Sequence, residues 1–306
     1  MGYGRFTASA YTTYAASNNL KAATREQVFH PRSLTNKLDP KNIVLRESRD
    51  SEQNPKSVPI ILGLDVTGSM GFIAEEIAKN SLPLLMNSIY EDSPVTDPHV
   101  MFMGIGDINC DSAPLQVSQF EAEAVPLIEQ LRTLYLEGGG GGNDYESYDL
   151  PWYFANFRTS TDAFEKRGER GFIFTIGDEL PPQKAPAKHN LERVFGNNSH
   201  IESHSASDIL AKVSGRYRVF HVIAEQGSYC RQARAKVIGQ WKELLGPNVI
   251  LMKDHSKLPD IITAVLKISN GANIHEVIES SNCPADLKHA FTFALEVAEE
   301  NSVYAD

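Results

Sequence analysis

The sequence is poor in cysteine and has no long apolar run. Its three cysteines, Cys110, Cys230 and Cys283, are far apart and lack C-x-x-C spacing, so the sequence predicts neither a disulfide framework nor a cysteine zinc site. No apolar run approaches the roughly 18 residues of a membrane span, and the N-terminal stretch "MGYGRFTASAYTTYAASNN" lacks the apolar core of a signal peptide. We therefore expect a soluble, cytoplasmic protein without a membrane partner.

Positive charge is also scarce. The chain has 29 basic against 39 acidic residues, for a formal net charge of -10 at pH 7, and no stretch rich in lysine and arginine offsets this locally. Such a surface repels the phosphate backbone. The composition therefore argues against nucleic acid as a partner.

What the chain does have is a series of apolar strands that alternate with helical patterns. The strands are "VPIILGLD", "HVMFMGIGD", "RGFIFTIGDE", "RVFHVIAE" and "NVILMKD". This alternation predicts an α/β fold with a doubly wound, mostly parallel sheet that has helices on both faces. "APLQVSQF" follows the second strand closely and is predicted to be its hairpin partner, which makes one antiparallel edge strand.

The length of 306 residues and the hydrophobic content of 42% favour one principal domain. We place it at residues 57–270, after an irregular N-terminal extension at 1–56 and before a helical tail at 271–306. In the tail, Pro284 is predicted to begin the second of one or two short helices. In the first helix of the domain, Pro83 should produce a kink or a new start.

The first strand ends in an unusual polar group. In "ILGLDVTGSMG" the apolar run stops at Asp65, and the hydroxyl residues Thr67 and Ser69 follow at two-residue spacing. A second strand, "FIFTIGDE", also ends in an acid, Asp178. Ligands of parallel α/β sheets lie beyond the carboxyl ends of the strands, where these residues should meet. Either Asp65 is a nucleophile, or the oxygen atoms hold a metal ion.

Oxygen donors of this kind suit a hard cation such as Mg²⁺, which takes carboxylates, hydroxyls and water in near-octahedral geometry. Asp65, Thr67 and Ser69 match the D-x-[ST]-x-S signature of von Willebrand factor A domains, and "TIGDE" with Asp178 resembles a later metal-site loop of that family. The resemblance covers about residues 57–270. It implies a metal-ion-dependent adhesion site that holds Mg²⁺, or alternatively Mn²⁺ or Ca²⁺.

One loop departs from that family. Five glycines at 138–142 occupy the place where the family usually carries a threonine ligand, as in a group of largely uncharacterised bacterial and phage members that this chain resembles. Asp144 is our first choice for the replacement ligand, and Asn143 and Ser147 are the alternatives. A direct Asp144 ligand would tighten cation binding and make the ion less electrophilic.

The resemblance implies a non-enzymatic adaptor that binds an Asp or Glu of a partner protein through the metal. Cytoplasmic bacterial members of the family often accompany AAA+ ATPases of the MoxR type, which makes such an ATPase the implied partner. Two other functions stay open. Asp65 could be the nucleophile of a phosphotransferase similar to haloacid dehalogenases, or the metal could staple the loops of a structural assembly subunit.

A simpler structural role also competes at the hydroxyl residues. Thr67 and Ser69 precede a helix, and serine and threonine are preferred helix caps. That role does not account for acids at the ends of two separate strands, Asp65 and Asp178.

Overall fold

The computed structural model describes residues 4–92, 94–137, 145–197 and 200–303. Their strands, numbered along the chain, are β1 (Arg46–Ser48), β2 (Ser57–Asp65), β3 (Asp97–Ile105), β4 (Leu115–Val117), β5 (Thr159–Thr161), β6 (Gly171–Gly177), β7 (Tyr217–Ala224) and β8 (Val249–Met252). Six of them form a central sheet in the order β4-β3-β2-β6-β7-β8, and β1 pairs with β5 in a small separate sheet. The central sheet is parallel except for the edge strand β4, which confirms the predicted fold class.

The register of the sheet brings the predicted strand ends together. Asp65, the last residue of β2, pairs with Ile105 at the end of β3, while Leu64 pairs with Ile176 near the end of β6. Asp178 follows β6 directly. The acids at the ends of β2 and β6 therefore lie at the same edge of the sheet, beside each other in strand order.

The helices are α1 (Ala8–Ser17), α2 (Arg25–Val28), α3 (Gly71–Glu76), α4 (Leu82–Asp92), α5 (Ala124–Arg132), α6 (Leu150–Arg158), α7 (Asp162–Arg167), α8 (Lys188–Phe195), α9 (Ala206–Val213), α10 (Ser228–Leu245), α11 (Leu258–Ser269), α12 (Ile274–Glu279), α13 (Pro284–Ala290) and α14 (Thr292–Val303). Among the described residues, none of these helices is long and apolar enough to cross a membrane.

Side chains of the strands point alternately to two hydrophobic cores. In β2, Leu62 and Leu64 belong to one core and Ile61 belongs to the other, as the two-residue repeat of a strand requires. Helices α1, α3, α4, α5 and α11 contribute buried residues to the first core. Helices α6, α8, α9 and α10 contribute to the second. Burial on both faces explains why the strands are continuously apolar in sequence.

Proline positions define two helix boundaries. A π-helical segment, Ile77–Ser81, separates α3 from α4, and Pro83 lies in the first turn of α4, which agrees with the predicted restart. The apolar spacing in "YESYDLPWYFANFRT" predicts a helix that begins near Tyr145 and includes Tyr148, whereas helix α6 begins at Leu150. Pro151 is the reason, because proline is favoured in the first turn of a helix, and residues 145–149 form a loop instead.

Both terminal segments pack on the domain. The segment 1–56, predicted as an irregular extension, contains α1 and α2, and its Tyr11, Val28 and Phe29 are buried in the first core. The tail contains three helices, one or two more than expected, and Pro284 begins α13 as predicted. Leu287 of α13 is buried in the same core. The domain boundaries at 56 and 270 stay predictions.

Candidate metal centre

The carboxylate of Asp65 organises the loop that follows β2. Asp65 is buried, and its Oδ1 accepts hydrogen bonds from the Thr67 backbone N (3.0 Å) and from Thr67 Oγ1 (2.7 Å). Gly68, next in the chain, has φ of +38°, a left-handed conformation that glycine adopts without strain. This geometry turns the chain sharply into the 3₁₀ turn Gly68–Met70. The sequence D-x-T-G therefore folds into a compact cap over the end of β2.

The second oxygen of Asp65 is bound to a residue that the sequence did not suggest. Oδ2 accepts a hydrogen bond of 2.8 Å from the hydroxyl of Tyr148, which lies in the loop before α6 and is fully buried. Glu179 donates its backbone N–H to the same hydroxyl oxygen at 3.4 Å. Tyr148 therefore connects the end of β2 to the residues just after β6.

A close approach by Tyr148 requires glycine at the end of β6. A Cβ atom at Gly177 would lie 2.0 Å from the Tyr148 hydroxyl oxygen, which is far inside van der Waals contact. The ring of Tyr148 packs edge-on against His221, with centroids 5.0 Å apart, and against Trp241, at 5.5 Å. Tyr148 is thus held by the core on one side and by Asp65 on the other.

Asp178 faces the N-terminal end of α10. Its Oδ2 accepts hydrogen bonds from the backbone N–H groups of Tyr229 (2.8 Å) and Cys230 (3.3 Å) in the first turn of that helix. A Cβ atom at Gly227 would lie 2.2 Å from the Asp178 side chain, so the glycine permits this contact. Unpaired N–H groups at a helix start favour an acidic partner. One Asp178 oxygen is therefore already engaged structurally.

The site contains a further buried acid, Glu146, which the sequence pattern did not suggest. Glu146 is 1% exposed, and its Oε2 has no hydrogen-bond partner among the described residues. Burial, together with the nearby charges of Asp65 and Glu179, raises the pKa of Glu146 to about 11. Burial likewise raises the pKa of Asp65 to about 7, and the charge of Asp178 adds to that rise.

The loop after β3 adds two further buried acids. Asp107 Oδ1 accepts a hydrogen bond of 2.9 Å from Asn109 N, and Asp111 Oδ2 accepts one of 2.6 Å from Asp107 N. Burial raises the pKa of Asp111, and the charges of Asp107 and Asp111 both raise that of Glu146. Three adjacent strands, β2, β3 and β6, are therefore followed by buried acids at one edge.

The structure describes some of the predicted metal ligands and not others. Asp65 and Thr67 are in direct contact, and Tyr148 links them to the chain around Asp178. Ser69 lies in the 3₁₀ turn Gly68–Met70, but its side chain is outside what the structure describes. Asn143 and Asp144 also fall outside the described residues. The hydroxyl of Ser147 accepts a hydrogen bond of 2.9 Å from Ile108 N, so Ser147 lies against the end of β3.

The donors present are oxygen atoms, and their chemistry fits a hard cation. In the described ranges, no three Asp, Glu, His or Cys side chains are arranged so that they could hold a metal ion by themselves. A site here would therefore need hydroxyl or water ligands besides its carboxylates. A bound cation would compensate the buried carboxyl groups at this edge and would give the unpartnered Glu146 Oε2 a partner.

Tyr148, Glu146, Asp107 and Asp111 were missed as site residues. Tyr148 was assigned to a helix, and nothing in its spacing distinguishes it from a core aromatic. A signal for Asp107 was present, because "MGIGD" has the same apolar strand ending in an acid as "ILGLD" and "FTIGD". Three parallel strands with this ending predict three acids at one edge of the sheet.

The chain is similar to solved structures, but not to any family model or curated protein. Among solved structures, it is similar to the open conformation of the pilus adhesin SpaC from Lactobacillus rhamnosus GG, with 12% identity and a TM-score of 0.43 over 72% of this chain and 30% of that one. It is also similar to "von Willebrand factor type A from Catenulispora acidiphila", with 14% identity and a TM-score of 0.38 over 74% of this chain and 44% of that one. The chain thus spans less than half the length of either protein.

Proposed function

We propose that this chain is a divalent-cation-dependent protein-interaction module of the von Willebrand factor A type. Thr67 and Ser69 would bind Mg²⁺ through their hydroxyl oxygens, and Asp65 and Asp178 would hold it directly or through water. Asp144 is the proposed further ligand. When bound, the ion would neutralise part of the acidic edge and accept a carboxylate oxygen from a partner's Asp or Glu.

The contact between Thr67 and Asp65 is the observation that carries the proposal. The Thr67 hydroxyl donates its only proton to Asp65 Oδ1, at 2.7 Å, so its lone pairs remain available to a cation. From the residues that the structure describes, Asp65 accepts three hydrogen bonds, two from Thr67 and one from Tyr148. A carboxylate with three of its roughly four lone-pair positions used is better suited to hold a cation partly through water.

Electrostatics supports the same proposal. The pKa of Asp65 is raised to about 7 and that of Glu146 to about 11 because both are buried near other acids. A divalent cation at this edge would lower both pKa values by opposite charge. The positive charge of Arg231 lowers the pKa of Asp178, but its effect is smaller than that of burial, which raises it.

The phosphotransferase alternative has less support. A nucleophilic aspartate must present a carboxylate oxygen to an approaching phosphorus atom. Asp65 is 1% exposed, and Thr67 and Tyr148 donate hydrogen bonds to both of its oxygens. Acetyl phosphate turnover that is lost in Asp65→Asn would favour this alternative over the adaptor.

Peptide binding tests the adaptor function directly. A peptide library with a central Asp or Glu, each peptide paired with its Asn or Gln version, would be immobilised and probed with the full chain in Mg²⁺ or in chelator. We expect retention on acidic peptides in Mg²⁺ alone, and loss of that retention in Asp178→Asn. This variant keeps an oxygen that can accept the α10 hydrogen bonds.

The control is Asp97→Asn, which removes a buried carboxylate at the opposite edge of the sheet, where Asp97 pairs with Arg5 at 3.1 Å. This variant should bind like the wild type. Equal retention on acidic and amide peptides, retention that persists in chelator, or no retention at all would contradict the adaptor function. A MoxR-type ATPase remains the proposed partner class, to be tested once the peptide preference is known.

A further inference from the structure

A mainly apolar cavity lies away from the acidic edge. It has a volume of about 630 Å³, which is within the range of small-molecule sites, and it opens among the first residues of β7 and β8, the last turns of α10 and α11, and α14. Its wall is mainly apolar and includes Leu210, Leu244, Ile250, Ile268, Phe291 and Ala294. No residue of the candidate metal centre lines it.

Two arginines mark one end of this cavity. Arg170 precedes β6, and Arg218 is the second residue of β7. Within the described part of the chain, neither guanidinium forms an ion pair with an acidic side chain. Burial lowers the pKa of Arg218, and the positive charge of Arg170 lowers it further. Two neighbouring cations without an acidic partner form an attractive position for an anion.

A second, polar cavity of about 470 Å³ shares the same two arginines. Lys56 and Asn270 line it as well, so three cationic side chains surround it. Its one acid, Glu169, is already paired with Arg167 at 2.8 Å. The two arginines therefore stand at the boundary between an apolar space and a positively charged one.

The arginines keep free donors for a ligand. Arg218 donates to Ser269 O and to Asn270 Oδ1, and its guanidinium lies over the Phe172 ring at 5.5 Å from the centroid. Arg170 donates to Ser214 O at 3.4 Å. Because a guanidinium has five N–H donors, each side chain can still bind an anionic group while its position is fixed.

Two other polar side chains in the apolar wall, Tyr217 and Asn248, already have hydrogen-bond partners. The Tyr217 hydroxyl is within 2.7 Å of Thr159 Oγ1, and Asn248 donates its amide to Val219 O at 3.1 Å. The apolar cavity therefore suits a hydrocarbon chain rather than a sugar or a nucleotide, which would need more hydrogen-bond partners.

We propose that these two cavities form a binding site for a single-chain anionic amphiphile, a long-chain fatty acid, with its carboxylate at Arg170 and Arg218 and its hydrocarbon chain in the apolar cavity. The site lies at the amino ends of the strands. Along the nine residues of β2 this is roughly 26 Å from the acidic edge, at about 3.3 Å per residue. It is independent of the proposed metal site.

Titration of a fluorescent long-chain fatty acid into the full chain tests the proposal, with the methyl ester of the same acid as the uncharged competitor. We expect saturable binding of one acid per chain, at least tenfold weaker competition by the ester, and at least tenfold weaker acid binding in the double variant Arg170→Gln/Arg218→Gln. Arg32→Gln, which removes an exposed arginine elsewhere, should bind as the wild type does.

A cavity-filling variant distinguishes the contribution of the hydrocarbon chain to binding from that of the carboxylate. Ala294→Phe places an aromatic ring in the apolar cavity and should reduce binding of acid and ester alike, while circular dichroism confirms folding. Equal binding of acid and ester, full binding in the double arginine variant, or no saturable binding would overturn the proposal. A dimer that sedimentation detects and that Ala294→Phe disrupts would show that a second copy of the chain covers this surface instead.

Discussion

Tyr148 is the residue on which the candidate site depends most. Its hydroxyl donates to Asp65 and accepts from the Glu179 backbone, and its ring is enclosed by His221 and Trp241. A side chain that is buried in the core therefore fixes the position of a strand-end carboxylate. The arrangement resembles the support that ligands of metal sites receive from their neighbours, whose role is to orient them.

A buried acid beside Tyr148 leads to a prediction about pH. Burial raises the pKa of Asp149 to about 7, above the value of about 3.9 expected in the unfolded chain. The folded state therefore binds the proton more tightly, and Asp149 lowers the free energy of unfolding as the pH rises from about 4 to about 7. We expect Asp149→Asn to remove this part of the slope, a difference on the order of 3 kcal/mol between pH 4 and pH 8.

Urea unfolding of both proteins in chelator, over this pH range, measures the difference. Glu202→Gln, which changes an exposed carboxyl group, should keep the wild-type slope. An Asp149→Asn protein that loses stability with pH as steeply as the wild type would contradict the burial argument.

At the residue scale, local spacing in the sequence proposed Asp65, Thr67 and Asp178 as site residues but did not indicate the residues that contact them. The first three follow apolar strands, and strand ends can be read from composition. Tyr148 and Glu146 reach the site through a loop whose path depends on the whole fold, so no pattern within ten residues of them indicates their role. Whether Asp144 contributes remains a prediction.

At the scale of elements, glycines at strand and helix ends allow the close contacts around the site. Gly177 ends β6 against Tyr148, and Gly227 precedes α10 against Asp178. Each position leaves no room for a Cβ atom. Glycine is required at these two positions because side chains from other elements occupy the space beside them.

Gly177→Ala should destabilise the protein strongly. The new Cβ would lie 2.0 Å from the Tyr148 hydroxyl oxygen and would force the buried ring away from Asp65. Overpacking of this kind costs typically about 1–3 kcal/mol, and we expect the upper end of that range because the Asp65 hydrogen bond is lost as well. Chemical denaturation measures the free energy of unfolding.

Gly239→Ala provides the matched control. Gly239 lies within α10, and a Cβ atom there meets nothing within 4 Å. Because alanine is favoured over glycine inside a helix, we expect this variant to gain about 0.5–1 kcal/mol. A Gly177→Ala protein as stable as Gly239→Ala would show that Tyr148 does not hold the position described.

At the scale of the whole molecule, the N-terminal segment packs on the sheet and contributes buried residues to the first core. Arg132 of α5 is buried and donates hydrogen bonds to Val28 O at 3.0 Å and to the Tyr14 hydroxyl at 2.7 Å. Tyr11 of α1 donates to Ala78 O at 2.7 Å. These contacts hold α1 and α2 against the first core.

Replacement of Arg132 by alanine should loosen the N-terminal segment. It removes a buried cation that satisfies several oxygen atoms of this segment, so we expect a loss of about 2–4 kcal/mol and faster hydrogen exchange throughout α1. Exchange within β2 and β6 should change only through global unfolding. Unchanged protection of α1 in Arg132→Ala would contradict the role of this arginine as the anchor.

The overall architecture followed from the sequence because parallel strands buried on both faces are continuously apolar. The five such strands and the antiparallel edge were all identified, and Pro284 correctly marked the start of α13. The packing of residues 1–56 was not predictable in the same way. Its buried residues, such as Tyr11 and Val28, contact distant parts of the chain and follow no regular spacing.

In the proposed site, Thr67 offers a hydroxyl oxygen to a divalent cation at the acidic edge. Calorimetric titration of Mn²⁺ into chelator-treated protein tests it most directly, in wild type, Thr67→Val and Thr67→Ser. We expect one saturable site in the wild type and in Thr67→Ser, and loss of that site in a folded Thr67→Val. Equal binding in Thr67→Val, or no saturable binding in the wild type, would contradict it.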